Sequence, residues 1–130
     1  MSFPINIVKL LSGNSVEWER LEFKKSWDKL EAIKVITAFA NDINNWGGGY
    51  LFIGIEEADG KPVLPPAGVS PQKIDSVQKD LVNICNQIKP PYFPIMELFE
   101  YMGKTILVIW VPGSETRPHK APTNFGSPRD

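Results

Sequence analysis

The chain has 130 residues, 42% of them hydrophobic, with a formal net charge of −1 and an isoelectric point near 5.8. That length and apolar share support one domain with a proper core and exclude disorder as the default state. The charge balance excludes a strongly basic chain that grips nucleic acid by bulk charge, but it leaves room for a local basic patch.

No apolar run approaches the ~20 residues needed to span a bilayer. Met1-Ser2-Phe3-Pro4 has no basic stretch ahead of an apolar core, so a secretory leader is not expected. Cys85 is the only cysteine, which excludes an internal disulfide and a cysteine-based zinc cluster and fits a reducing cytoplasm.

Pro4 to Leu11 reads as a short helix, with proline at its first position and Ile5, Val8 and Leu11 on one face. Asn14 to Trp18 is a loop. Arg20-Leu21-Glu22-Phe23-Lys24 alternates strictly and predicts a half-buried strand with Leu21 and Phe23 inward. Asp28 and Glu31 have capping-box spacing and open a helix to about Ile43. Its apolar stripe is Ile33, Ile36, Ala40 and Ile43, flanked by Ala32, Val35 and Phe39.

Trp46-Gly47-Gly48-Gly49 is a turn, and Tyr50 to Ile55 is a nearly continuous apolar strand expected at the sheet centre. Glu56 to Gly60 closes that strand with acids and a turn glycine. Ser70 and Pro71 supply the cap and first position of a helix running to about Lys89. Its face is Ile74, Val77, Leu81, Ile84 and Ile88, and Pro90-Pro91 stops it. Ile95 to Tyr101 and Thr105 to Val111 read as a hairpin turning through Met102-Gly103-Lys104. The expected architecture is a single α+β domain over residues 1–112, a mixed sheet with packed helices. A polar, proline-rich tail occupies residues 113–130.

Three ordered segments carry a family resemblance. Glu17-Trp18-Glu19-Arg20-Leu21-Glu22-Phe23-Lys24 resembles a Glu-Ser-x-x-x-Glu-Phe-Lys opening. Ala38-Phe39-Ala40-Asn41, then Gly47-Gly48-Gly49 and Tyr50 to Ile55, resemble a helix end, a glycine turn and a strand ending Ile-Gly-Val. Glu56-Glu57-Ala58-Asp59-Gly60 supplies an acidic turn, and Ile106 to Pro112 matches a later strand. Together they resemble the Schlafen-type AlbA-like DNA-binding domain. Two departures stand out: Trp18 replaces a common Ser, and five residues separate Asn41 from Gly47 where about two are usual. The family commonly continues into a strand bearing Arg-x-Gly, so the chain is expected to be the N-terminal domain of a longer regulator-like protein.

The resemblance implies a nucleic-acid partner, DNA foremost, and a cytoplasmic bacterial transcriptional regulator. Candidate phosphate contacts are Arg20, Lys24 and Lys25, with Arg117 and Lys120 as outlying members. The eukaryotic relatives imply an alternative: a metal-dependent endoribonuclease in which Glu17, Glu22 and Glu57 hold Mg²⁺ or Mn²⁺ to activate water. No cofactor is expected otherwise. Glu17 and Glu22 differ by an odd number, so a regular strand would point them to opposite faces. Glu22 could instead pair with Lys24 or Arg20 on a solvated face. A further alternative is a dimerisation or regulatory module of a larger ATPase-like protein, using the exposed hairpin edge, with a homodimer as partner.

The glycine turn lacks the Gly-Lys-Ser/Thr that a phosphate-binding loop needs, which disfavours ATP hydrolysis by this segment. A tight turn accounts for those glycines, and Asn41 is expected to brace it. Trp27 and Trp46 are candidate base-stacking groups, and Trp110 is read as core. His119, alone in the tail, is expected to be solvent-exposed, and Cys85 to be buried and inert.

Overall fold

The computed structural model describes Ile7, Leu11, residues 21–43, Asn45 and residues 47–122. The alternating Leu-Glu-Phe-Lys segment forms β1 (Leu21–Lys24). Asp28 caps α1 (Lys29–Asn41), its carboxylate accepting from the Leu30 and Glu31 amides at 2.9 and 3.3 Å. This satisfies two of the four orphan donors at the helix start. The helix ends because Asp42 adopts a left-handed conformation with φ of 45°. That reversal throws Ile43 outward, 91% exposed, so the expected apolar stripe stops at Ala40.

β2 (Gly49–Ile53) follows the glycine turn and is buried throughout. A small hairpin, β3 (Glu57–Ala58) with β4 (Lys61–Pro62), turns through Asp59 and Gly60, both at positive φ. The sequence reading took this segment only as a turn. An Asp-Gly pair at those angles is the type I′ turn that closes two-residue hairpins. Ser70 then caps α2 (Pro71–Gln87), accepting from the Lys73 amide at 3.3 Å. β5 (Ile95–Tyr101) and β6 (Lys104–Val111) form the expected hairpin, turning through Met102 and Gly103 at positive φ.

The main sheet has the order β1-β2-β6-β5, with β1 parallel to β2 and the other pairings antiparallel. The fold is a mixed α+β sheet, as the element pattern implied. Leu51, Ile53, Leu107, Ile109 and Val111 face α1 and α2, which contribute Ile33, Ile36, Ala40, Val77, Leu81, Ile84 and Cys85. Leu21, Phe23, Tyr50, Phe52, Ile106 and Val108 face the other way, against Ile7 and Leu11. Those last two residues are helical and buried, in keeping with a short helix there; Ile5 and Val8 lie outside the described residues. Each fully buried aliphatic side chain stabilises the fold by about 2 kcal/mol.

The glycine turn has a packing cause. Gly48 sits at φ of 85°, and a Cβ there would fall 1.9 Å from the Val111 carbonyl oxygen. A Cβ on Gly49 would strike the Phe39 ring at 2.6 Å. The backbone of β2 can approach the end of β6 and α1 only with both positions bare.

Residues 113–122 are folded onto the domain. The Ser114 amide donates to the Ala40 carbonyl at 2.8 Å. The Asn41 side chain donates to the His119 carbonyl at 3.0 Å and accepts from its amide at 2.6 Å. A side-chain amide thereby stands in for a strand neighbour. His119 is buried, correcting the expectation of a solvated tail histidine. Its Nδ1 meets the Pro90 carbonyl at 2.5 Å, so that nitrogen carries a hydrogen. Its Nε2 lies 2.6 Å from Ser114 Oγ, and Tyr92 packs edge-on against the ring at 5.4 Å. Asn41 therefore braces this segment, while Asp42 takes the role expected of it and accepts from the Gly47 amide at 2.9 Å.

Two outcomes are expected. Asn41→Ala strands the His119 backbone pair and should cost about 1–3 kcal/mol in urea unfolding, with faster amide exchange at His119 and Lys120. Leu substitution at Asn41 should do the same, whereas unchanged exchange would show that the side chain holds nothing. Burial pushes the Cys85 thiol from 9.0 up to about 12. The unfolded chain releases that proton first, so its stabilising contribution is full below pH ~9 and declines as pH rises toward about 12. A thiol reagent at pH 8 should leave Cys85 unmodified until denaturant is added.

Candidate nucleic-acid interface

The register places Glu22 beside Leu51 and Lys24 beside Ile53, so both point to the helical side of the sheet. β1 is the edge strand there, and α1 leaves it half-exposed. Glu22 and Lys24 pair at 3.3 Å, each about one-third exposed. Beside them a small apolar-floored pocket is lined by Lys24, Ser26, Asp28, Glu31 and Val35. Lys25 follows β1 and reaches Glu56 at 3.9 Å, both well exposed. Surface pairs of this kind contribute well under 1 kcal/mol, so both ammonium groups can exchange a carboxylate for another anion at little cost. Arg20 lies outside the described residues.

Glu57 does not reach the Glu22–Lys24 pair by any hydrogen bond or ion pair found. Its carboxylate accepts from the Gly60 amide at 2.7 Å, holding its own turn. Glu17 lies outside the described residues. Among the described residues no three Asp, Glu, His or Cys side chains gather closely enough to hold a metal ion. Glu22 and Glu57 thus each have a partner of their own within the fold.

The second candidate group lies at the opposite end of α1, which at 1.5 Å per residue is about 20 Å long. Arg117 contacts Asp42 at 3.5 Å and Asn45 at 3.3 Å. Asp42 is almost fully buried, and the guanidinium joins the Gly47 amide in compensating its carboxylate. The arginine thereby has a structural partner and ties the folded 113–122 segment to the α1 terminus. An open polar groove of about 620 Å³ runs past Asp42, Asn45, Gly47, Ser114, Glu115 and Arg117.

Lys120 is exposed, and here the fold adds a residue that sequence order hides. Lys89 and Lys120 form an antiparallel bridge, exchanging backbone hydrogen bonds of 3.0 and 2.8 Å. Residues paired in this way carry their side chains on the same face, roughly 5.5 Å apart at Cα. Two like-signed side chains placed on one face in this way can contact a single anion together. Only contact between the end of α2 and the segment after β6 brings them together. The available signal was Pro90-Pro91, which keeps α2 from continuing past this point.

The tryptophans divide differently from expectation. Trp27 packs against the helical core, and its indole donates to Asp80 on α2 at 2.9 Å, so it serves as a clasp and not as a stacking platform. Trp110 is half-buried and stacks on Tyr50 with ring centroids 6.4 Å apart, on the sheet face away from the helices. Trp46 lies outside the described residues. No helix among the described residues is long and apolar enough to cross a membrane.

A search of curated proteins gave no match. Solved structures gave several. The N-terminal domain of a RecG-related protein from Nitrosomonas europaea, provisionally named an ATP-dependent DNA helicase, is 30% identical with a TM-score of 0.63. That match covers 92% of this chain and 79% of the other. The DIP2311 protein of Corynebacterium diphtheriae is 18% identical with a TM-score of 0.53, and supports the fold alone. It matches 88% of this chain but only 22% of its own length. Residues 17–127 match the family described as Schlafen, AlbA_2, which takes in both the β1 segment and the folded stretch after β6. The chain belongs to the Schlafen AlbA_2 family.

Proposed function

We propose that this domain binds nucleic acid through phosphate contacts and serves as the DNA-binding module of a bacterial transcriptional regulator in the cytoplasm. The observation that carries the reading is the Lys89–Lys120 bridge, which sets two exposed ammonium-bearing side chains side by side. Lys24 and Lys25 supply a second basic point at the far end of α1, with Arg20 preceding them in sequence. The name of the Nitrosomonas relative, which includes a DNA helicase, supports DNA as the polymer and a larger parent chain as the context. With a net charge of −1, affinity would come from a few placed contacts and not from the field of the whole protein.

Neither α1 nor α2 carries a recognisable groove-reading motif, so backbone contacts dominate the proposed binding. Such binding must weaken steeply with salt. Fluorescence anisotropy with labelled duplex DNA, single-stranded DNA and RNA across a salt series tests this. Replacing Lys89 and Lys120 together by Ala should lower affinity at least ten-fold in low salt. It should also flatten the log–log salt slope by about 1.8, at about 0.9 per phosphate contact. The Lys24→Ala, Lys25→Ala double variant should flatten it comparably. Salt slopes unchanged in both variants would sink the proposal, and a preference for RNA would redirect it from DNA.

A further inference from the structure

β5 is the outer strand of the main sheet and pairs only with β6 among the described residues. It has seven residues against four in β1, so it is the longer of the two sheet edges. Within β5 there is no lysine or proline, the residues that commonly blunt such an edge. Leu98, at its midpoint, is 48% exposed.

The turn fixes which backbone groups face outward. Tyr101 and Lys104 flank the two-residue turn and pair directly, so they form the hydrogen-bonded pair that closes the hairpin. Alternation then directs the amides and carbonyls of Ile95, Glu97, Phe99 and Tyr101 toward β6. Those of Met96, Leu98 and Glu100 point away from the sheet. These three positions form a symmetric set about Leu98.

We infer that two copies of this chain pair β5 to β5, antiparallel, about a two-fold axis at Leu98. In that register Leu98 faces Leu98 of the second copy, and Met96 faces Glu100 in both directions. The intervening positions oppose Glu97 to Phe99 and Ile95 to Tyr101. No carboxylate meets a carboxylate, and every outward amide from Met96 to Glu100 finds a carbonyl. The neighbouring registers fail. Centres at Glu97 and at Glu100 each set two glutamates against each other, which is destabilising. A centre at Phe99 sets Glu100 against Leu98 and Met96 against Met102, which lies in the turn at positive φ, so the ladder ends there. A centre at Met96 brings Leu98 opposite Pro94, which has no amide to donate. The axis is perpendicular to the sheet, so the two four-stranded sheets become one of eight with both helical layers on the same side. The Lys24–Lys25 ends remain clear of the contact, and the inference does not depend on nucleic-acid binding.

The test is register-specific cross-linking of the whole 130-residue chain, together with sedimentation velocity over a concentration series. Wild-type mass should rise with concentration toward twice the 14.6 kDa of one chain. Leu98→Lys, which alters an exposed residue, should remain at one chain's mass. Under mild oxidation Leu98→Cys should form a disulfide dimer, because directly opposed residues lie roughly 5.5 Å apart at Cα. Buried Cys85 does not compete. Glu100→Cys alone should cross-link at least ten-fold less, since its two copies sit roughly 14 Å apart at 3.4 Å per residue. Mixing it with Met96→Cys should restore the cross-link. A wild type that stays monomeric, self-association indifferent to Leu98→Lys, or equal cross-linking of Leu98→Cys and Glu100→Cys would each overturn the inference.

Discussion

The antiparallel pairing of β2 with β6 governs this fold. Both strands are apolar on both faces, and five consecutive pairs, Gly49–Val111 through Ile53–Leu107, join them. A strand pair of that kind cannot leave either side to water. The two helices cover one face through Ile36, Val77 and Ile84, and Ile7 and Leu11 lie on the other. The close approach at Gly48 follows from the same pairing, because β2 must begin against the last carbonyl of β6. Polar groups are thereby driven to the perimeter: the β1 edge, the two ends of α1 and the outer side of β5. Among the described residues, Glu22, Lys24, Lys25, Arg117 and Lys120 lie on that perimeter.

The perimeter itself is shaped by polar contacts that do structural service. Asp42 ends α1, accepts the Gly47 amide and receives Arg117. Asn41, one residue earlier, holds the backbone of His119. Two adjacent side chains at one helix terminus thus organise the glycine turn and the stretch that follows β6. Lys120 owes its position beside Lys89 to this arrangement. Any ligand that grips Lys120 would feel the integrity of the Asn41 contact without touching it.

Much of this was legible from local pattern. The alternation around Phe23, the cap at Asp28, the three-and-four spacing from Ile74 to Ile88 and the two strands after Pro94 each depend on neighbours in sequence. The segments that carried the family resemblance also lie within the matched span. What escaped has a common cause: contacts between distant residues. Nothing near His119 in sequence announces that an asparagine on α1 replaces its solvent. Nothing near Lys89 announces Lys120. Ile43 continued the helical stripe perfectly well, and only the left-handed turn at Asp42 removed it. Asp59-Gly60 did carry a local signal for a hairpin, but the strands it joins have two residues each and little apolar alternation to reveal them.

The link from Asp42 to Gly47 has a consequence for how this architecture can vary. Its two ends are fixed independently, by the Asp42 carboxylate on the Gly47 amide and by the bare glycines against β6. Chain entering and leaving the link therefore meets the same boundary whatever its length, and lengthening the loop from about two residues to five adds under about 1 kcal/mol of closure entropy. The longer spacing in this sequence is then a tolerated variation, not a distortion of the sheet. The same clamped ends make the link a natural seam, a place where peptide of new length or chemistry could be spliced beside the polar groove while the core stays unaware of the change.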